Sequence, residues 1–164
     1  MCSSDLNIEI HYNTNGTQWP EDAESIWSHF KHVEIAFSID DVEDRFEYQR
    51  SNARWAEVVE NLDRFKQLRT RNNNITLQAC CTINVFNVYY LETVANWIEA
   101  QGFDFIYWNM MHDAYYYSIS TLPDTAKAVI AERLRTANVS DRVKEEFNRV
   151  ADFMLRGNSL DGNL

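Results

Sequence analysis

The sequence is poor in cysteine, glycine and proline, and its cysteines lack the spacing of a metal site or a disulfide framework. Three cysteines are present, Cys2, Cys80 and Cys81, beside four glycines and two prolines. Cys80 and Cys81 are adjacent, so on one strand they would point to opposite faces and could not hold one ion together. We interpret them as small core-filling thiols of a protein in the reducing cytoplasm.

Basic residues are also fewer than acidic ones. The sequence has 15 Lys and Arg and 25 Asp and Glu, which gives a formal net charge of −10. Binding to a phosphate backbone depends on clustered Lys and Arg, so this charge argues against a nucleic-acid partner. No run of about 18 apolar residues is present, and the sequence predicts no membrane span. What the chain does have is 45% hydrophobic and 13% aromatic residues, enough for one packed domain.

The first six residues are expected to be a non-native leader. Residues 1–6, Met-Cys-Ser-Ser-Asp-Leu, are what GTG-TGC-TCT-TCC-GAT-CT encodes when GTG is read as a start codon, and this string matches the end of a common sequencing adapter. The alternative is a native polar leader. We leave these residues out of the fold prediction.

Apolar periodicity predicts alternating strands and helices from residue 7 onward. Strands are predicted at Asn7–Asn13, Val33–Ile39, Ile75–Ile83 and Phe103–Met110. Helices are predicted from Pro20 to about Lys31, from Trp55 to the break at Asn72–Asn74, from Val88 to Gly102, from Pro123 onward and from the capping residue Ser140 onward, with a charged loop at Asp40–Asn52. This order predicts an α/β fold with a parallel sheet, which could be half of an eight-stranded barrel or a small open sheet.

Ligands of parallel α/β folds bind at the carboxyl ends of the strands, and polar residues follow each predicted strand. Ser38 and Asp40 lie two apart, and a hydroxyl with a carboxylate suits the paired hydroxyls of a ribose. The alternative is that Ser38 satisfies a backbone group and Asp40 begins a turn.

Two arginines and three asparagines complete the candidate set. Arg50 or Arg54 could bind a ligand carboxylate through its planar fork of donors, or could instead pair with Glu47 or Glu57. The asparagines that follow predicted strands, Asn15, Asn84 and Asn87, could be amide donors or ordinary turn residues. The histidines, His11, His29, His32 and His112, show neither HxH nor HExxH spacing and predict no metal site.

Taken in order, these segments resemble a known superfamily. The motifs that carry the resemblance are Thr14-Asn15-Gly16-Thr17, Ser38-Ile39-Asp40, Glu47-Tyr48-Gln49-Arg50, a helix opened by Trp55 that carries Asn61 and Phe65, and Tyr115–Ile119 with Leu122-Pro123. The combination resembles the third to sixth strand–helix units of radical S-adenosylmethionine (SAM) proteins, in particular those with a carboxy-terminal SPASM or twitch region. It covers roughly Ile8 to Leu134.

The resemblance implies a partial (β/α) barrel of about four parallel strand–helix units over residues 7–137, followed by a carboxy-terminal helix and tail over 138–164. It also implies that SAM binds at the carboxyl edge of the sheet. Carried over by position, the implied SAM contacts are Asn15 at the methionyl end, Ser38 and Asp40 at the ribose or amino group, Arg50 (or, as the second choice, Arg54) at the carboxylate, Thr82 and Asn84 on the ribose side, and backbone near Trp108 at the adenine.

One departure from the family limits what the chain can do. The CxxxCxxC motif that holds the 4Fe–4S cluster is absent. We therefore expect a fragment, inactive alone, of an enzyme whose intact form cleaves SAM reductively to a 5′-deoxyadenosyl radical. Such an enzyme needs a reductant such as flavodoxin or ferredoxin, and by analogy its unidentified substrate could be a peptide. The alternative is a cluster-free α/β ligand-binding or interaction module.

Overall fold

The computed structural model describes residues 7–157, so the expected leader at 1–6 and the end of the tail at 158–164 lie outside the described residues. Within that range the chain forms a four-stranded, all-parallel sheet with the order β1-β2-β3-β4, and six α-helices. The strands are β1 Glu9–Thr14, β2 His32–Ser38, β3 Ile75–Ile83 and β4 Phe105–Met110. The helices are α1 Ala23–Trp27, α2 Glu43–Gln49, α3 Trp55–Arg71, α4 Leu91–Gln101, α5 Asp124–Thr136 and α6 Asp141–Arg156. The α/β prediction is confirmed.

The described chain divides into two compact units. The first consists of residues 7–80 with Gly102–Tyr107, and the second of Cys81–Gln101 with residues 108–157. Strands β3 and β4 run through both units. The first unit therefore contains β1, β2, most of β3 and helices α1 to α3, whereas the second contains α4 to α6.

The sheet of the first unit has one apolar and one polar face. Its parallel register pairs Ile10 with Val33 and Val33 with Ile75, and it pairs His11 with Glu34 and Glu34 with Thr76. Paired residues of parallel strands share a face, so the residues Val33, Ile35, Phe37, Ile75, Leu77 and Ala79 form one buried apolar surface. The other face carries the buried Ala36 and the half-buried or exposed residues Glu9, His11, Asn13, His32, Glu34, Ser38, Thr76, Gln78 and Cys80.

An aromatic cluster packs on the apolar face and centres on Phe65 of α3. The Phe65 ring lies 4.6 Å from the Trp19 ring, 5.2 Å from the Phe37 ring and 5.9 Å from the Trp27 ring, measured between centroids. Because Trp19 belongs to the segment after β1 and Phe37 to β2, the cluster fixes both against α3.

The second unit is built on the packing of α5 against α6. The buried side chains of α6 are Val143, Phe147, Val150, Ala151 and Met154, and α4 buries Leu91, Val94, Ala95 and Ile98. Ser140 caps α6 by accepting the Val143 N–H, as predicted. At the other end of α6, the buried Lys127 Nζ donates to the Gly157 carbonyl at 2.7 Å.

Most predicted elements match the structure, and two do not. The prediction for β3 is correct at both ends, and α3 begins at Trp55 as predicted. The loop predicted at Asp40–Asn52 is wrong, because residues Glu43–Gln49 form α2. The helix predicted from Pro20 to Lys31 is correct only over Ala23–Trp27. Between residues 7 and 157 no helix has the length and apolar character needed to cross a membrane.

We predict that Gly16→Ala destabilises the chain more than Gly102→Ala does. Both glycines have positive φ, +79° and +69°, so alanine costs each about 1–2 kcal/mol of backbone strain. A Cβ at Gly16 would also lie 3.0 Å from Val58 Cγ1, whereas a Cβ at Gly102 meets nothing within 4 Å. Overpacking should add about 1 kcal/mol at Gly16. Urea unfolding measures the free energy of unfolding of each variant. Equal losses would show that Val58 moves enough to accept the added methyl group.

Candidate functional site

A polar cavity lies at the carboxyl ends of β1 and β2 in the first unit. Its volume is about 350 Å³, and it is lined by Tyr12, Asn13, Thr14, Asn15, Gln18 and Ser38. Two of the predicted site residues, Asn15 and Ser38, therefore lie at one cavity although 22 positions separate them in the sequence. The cavity occupies the edge where parallel α/β folds bind ligands.

The turn after β1 is fixed by its own side chains. Thr14 Oγ1 accepts the Gly16 N–H at 3.0 Å, and Asn15 Oδ1 accepts the Thr17 N–H at 3.1 Å and the Thr17 hydroxyl at 2.7 Å. Asn61 of α3 donates to the Gly16 carbonyl at 2.9 Å. The bonds described for the Asn15 side chain occupy its oxygen, which leaves its NH₂ group as the donor that a ligand could use.

Asp40 and Arg50 form an ion pair next to the end of β2. Arg50 Nη2 lies 2.5 Å from Asp40 Oδ2, and the side chains are 26% and 16% exposed. The guanidinium also lies over the Phe46 ring, 5.5 Å from its centroid. Arg50 Nε is buried and has no hydrogen-bond partner in the described part of the chain. The guanidinium is thus held by a carboxylate and a ring while one of its donors is left unsatisfied.

The alternative ion pairs of Arg50 are not formed. Glu47 instead caps α3, since its Oε1 accepts the Trp55 N–H at 2.7 Å. Strand alternation does not place Ser38 and Asp40 on one face, because β2 ends at Ser38 and Asp40 lies beyond it. Ser38 lines the cavity, whereas the described bond of Asp40 is to Arg50.

Sequence reasoning missed Asp41, whose carboxylate is 0% exposed. Its Oδ1 accepts the Val42 N–H at 2.9 Å and Arg45 Nε at 3.0 Å, and its Oδ2 accepts Gln49 Nε2 at 3.4 Å. Burial raises the pKa of Asp41 above its ordinary value, while the Val42 N–H and the Arg45 charge act in the opposite direction. The signal that could have found it is the helical spacing of Asp41, Arg45 and Gln49.

The other predicted site residues belong to the second unit. The Thr82 carbonyl accepts the amide of Asn84 at 3.3 Å and that of Asn87 at 2.9 Å, and Asn84 Oδ1 accepts the Phe86 N–H at 2.8 Å. Trp108 is 8% exposed, and its ring meets the Phe147 ring edge-on at 6.1 Å. Thr82 and Asn84 thus build the turn after β3, and the Trp108 side chain belongs to the core.

The predicted opposite orientation of the two cysteines is confirmed, but the core-filling interpretation holds for Cys81 alone, because Cys80 lies on the polar face. Cys80 is half-buried and Cys81 is fully buried, as expected for neighbours on opposite faces. Burial raises the pKa of the Cys80 thiol, which keeps it protonated. Across residues 7–157 no group of three His, Cys, Asp or Glu side chains could hold a metal ion.

Comparison with known proteins adds no relative. No protein-family model matches the chain, and no curated protein matches its sequence.

We predict that Asp41 makes the stability of the chain depend on pH. Because its pKa is raised in the folded state, the protonated side chain favours folding, and this contribution is lost as the pH rises from the ordinary value of 3.8 through the folded value. The free energy of unfolding of the wild type, relative to that of Asp41→Asn, should therefore fall across this range. Urea unfolding at a series of pH values measures it. A difference that rises with pH would show that Arg45 outweighs burial.

Proposed function

We propose that this chain forms the SAM-contacting part of a radical SAM enzyme of the SPASM or twitch type. The intact enzyme would cleave SAM reductively to a 5′-deoxyadenosyl radical by means of a 4Fe–4S cluster. The observation that carries the proposal is the polar cavity at the carboxyl ends of β1 and β2, where Asn15 and Ser38 meet. These residues come from two of the motifs that carry the resemblance.

The ion pair of Arg50 supports a carboxylate-binding role. A guanidinium can bind a carboxylate with two parallel donors, and Arg50 uses Nη2 on Asp40 while Nε is unsatisfied. In the proposed complex the side chain would turn so that the methionyl carboxylate of SAM satisfies Nε, which is buried in the free chain. Asp40 would then neutralise part of the Arg50 charge and could accept a bond from the amino group of the same ligand.

The polar face of the first unit supports the expectation of a partial barrel. Parallel sheets usually have both faces covered by helices and are apolar on both. Here one face carries a contact between His11 Nδ1 and Glu34 Oε1 at 2.9 Å, and another between Thr76 Oγ1 and His32 Nε2 at 3.2 Å. The interior of a barrel is filled by side chains or holds one small ligand, and a polar face is compatible with a ligand there. The remaining strands of such a barrel would have to come from additional chain.

The residues of this chain do not fit the iron–sulfur cluster. Three cysteine thiolates are needed to hold the cluster. The sequence has three cysteines, but Cys80 and Cys81 are adjacent and cannot bind one cluster together. The cluster, its reductant and the reacting substrate, a peptide by analogy, belong to the proposed enzyme as a whole. What this chain would contribute is recognition of SAM.

The proposal predicts that binding of SAM to the chain is weak and depends on the ligand carboxylate. Arg50→Met should weaken binding of SAM at least about tenfold, which is the expected loss of a charge-assisted hydrogen bond. The same substitution should not affect binding of decarboxylated SAM, which has no carboxylate for Arg50. A ligand-observed NMR titration measures both affinities.

Arg64→Met is the matched control for this titration. Arg64 belongs to the same unit and lies over the Trp19 ring at 4.3 Å, so the variant removes an arginine without touching Asp40. Carboxylate-independent binding would contradict the assigned role of Arg50. Tight binding without iron would favour the cluster-free binding module.

A genomic test addresses the enzyme as a whole. The natural reading frame that encodes β1 should place a CxxxCxxC motif ahead of it in the same polypeptide. A frame that contains β1 to α6 but no such triad would overturn the radical SAM assignment, whatever the outcome of the titration.

A further inference from the structure

The buried carboxylate of Asp41 contacts α2 at two places. Arg45 is the third residue of that helix and Gln49 is its last, and both side chains donate to Asp41, at 3.0 and 3.4 Å. Asp41 also accepts the N–H of Val42, the residue that precedes the helix. One side chain at the end of β2 therefore holds both the beginning and the end of α2.

The contacts with Asp41 add to a small number of others that hold α2, among them the Phe46 ring against the Trp55 ring at 5.0 Å and the bond from the Trp55 N–H to Glu47 Oε1. The helix has seven residues, of which only Phe46 is buried, and its cap residue Val42 makes no side-chain capping bond. Its first residue, Glu43, has a φ of +55°, in the left-handed region that costs a non-glycine residue about 1–2 kcal/mol. A short helix that begins in a strained conformation persists only where its surroundings hold it.

Arg50 is the residue that follows α2, so its position depends on that helix. Its backbone N–H donates to the Phe46 carbonyl at 3.0 Å, and its guanidinium lies over the Phe46 ring. The bond between Gln49 and Asp41 lies one residue away from Arg50. A displacement of the end of α2 would move the guanidinium away from Asp40 and from the edge of the sheet.

We infer that Asp41 is a positioning residue, which ties both ends of α2 to the end of β2 and thereby sets the orientation of Arg50. Asp40 and Asp41 are adjacent but have different tasks. Asp40 contacts the Arg50 guanidinium directly, and Asp41 contacts α2, the helix that Arg50 follows. The inference rests on the proposed function only where it concerns what Arg50 binds.

The test follows the Nε–H group of Arg50 by NMR in the full-length chain. In the wild type this buried group should give a dispersed ¹⁵N resonance and exchange slowly with solvent. In Asp41→Asn, which keeps the size of the side chain, we expect exchange faster by about tenfold or more, because local opening becomes easier. Gln49→Met removes the bond to Asp41 at the end of α2, leaves the Arg45 contact with Asp41 in place and should act in the same direction, so the test does not depend on one variant that folds.

Asp104→Asn is the matched control. The Asp104 carboxylate also accepts a backbone N–H, that of Leu77 at 2.8 Å, and an arginine, Arg69 at 2.9 Å, but it has no described contact with α2. It should destabilise the unit without changing the Arg50 resonance. An Arg50 signal that stays unchanged in Asp41→Asn and Gln49→Met, or that changes equally in Asp104→Asn, would overturn the inference.

A second measurement separates this inference from the proposed function. If both are correct, Asp41→Asn weakens binding of SAM toward the affinity of Arg50→Met and leaves binding of decarboxylated SAM unchanged. Equal affinity of the wild type for SAM and for decarboxylated SAM would contradict the proposed role of Arg50. The NMR result would still decide whether Asp41 positions Arg50. A normal affinity of Asp41→Asn for SAM, with carboxylate-dependent wild-type binding, would overturn the inference alone.

Discussion

The elements around the candidate site meet at Phe65 of α3. Its ring is fully buried and contacts the rings of Trp19, Trp27 and Phe37. Aromatic pairs of this kind contribute about 0.5–1.5 kcal/mol each beyond the area they bury, which is a considerable part of the stability of a small domain. The cavity at the ends of β1 and β2 keeps its shape because α3, through Phe65 and Asn61, holds both the turn after β1 and the strand β2.

The two faces of the sheet explain why this unit can carry a polar site without losing stability. The apolar face excludes water against α3 and supplies the burial on which folding depends. The polar face contributes cross-strand contacts such as His11 with Glu34, which are partly exposed and therefore weak. Side chains on the polar face, such as Asn13 and Ser38, can therefore contact a ligand without disturbing the core, whereas Tyr12 and Thr14 line the cavity from the apolar side.

How far the sequence predicted the structure depended on whether apolar spacing determined the element. Helix α3 and strand β3 have strong apolar patterns, and both were predicted at the correct positions. Helix α2 has a single buried apolar residue, Phe46, and it depends on Asp41, so no periodic signal marks it. Asn15 and Ser38 line one cavity because parallel strands bring their carboxyl ends to one edge, which the order of the elements is enough to predict. For Trp108 the resemblance implies a contact of the nearby backbone, and strand alternation directs its side chain into the core.

The pair Asp40 and Asp41 shows why identical neighbours need not have related roles. Once β2 has ended, the direction of each side chain depends on the turn and no longer on strand alternation. One carboxylate turns toward Arg50 and stays partly exposed, and the other is enclosed beneath α2. An enclosed carboxylate is costly unless several donors satisfy it, and Val42, Arg45 and Gln49 do so here. Because these donors span α2, the bonds that satisfy the buried Asp41 side chain also hold the helix that Arg50 follows, as the proposed positioning role requires.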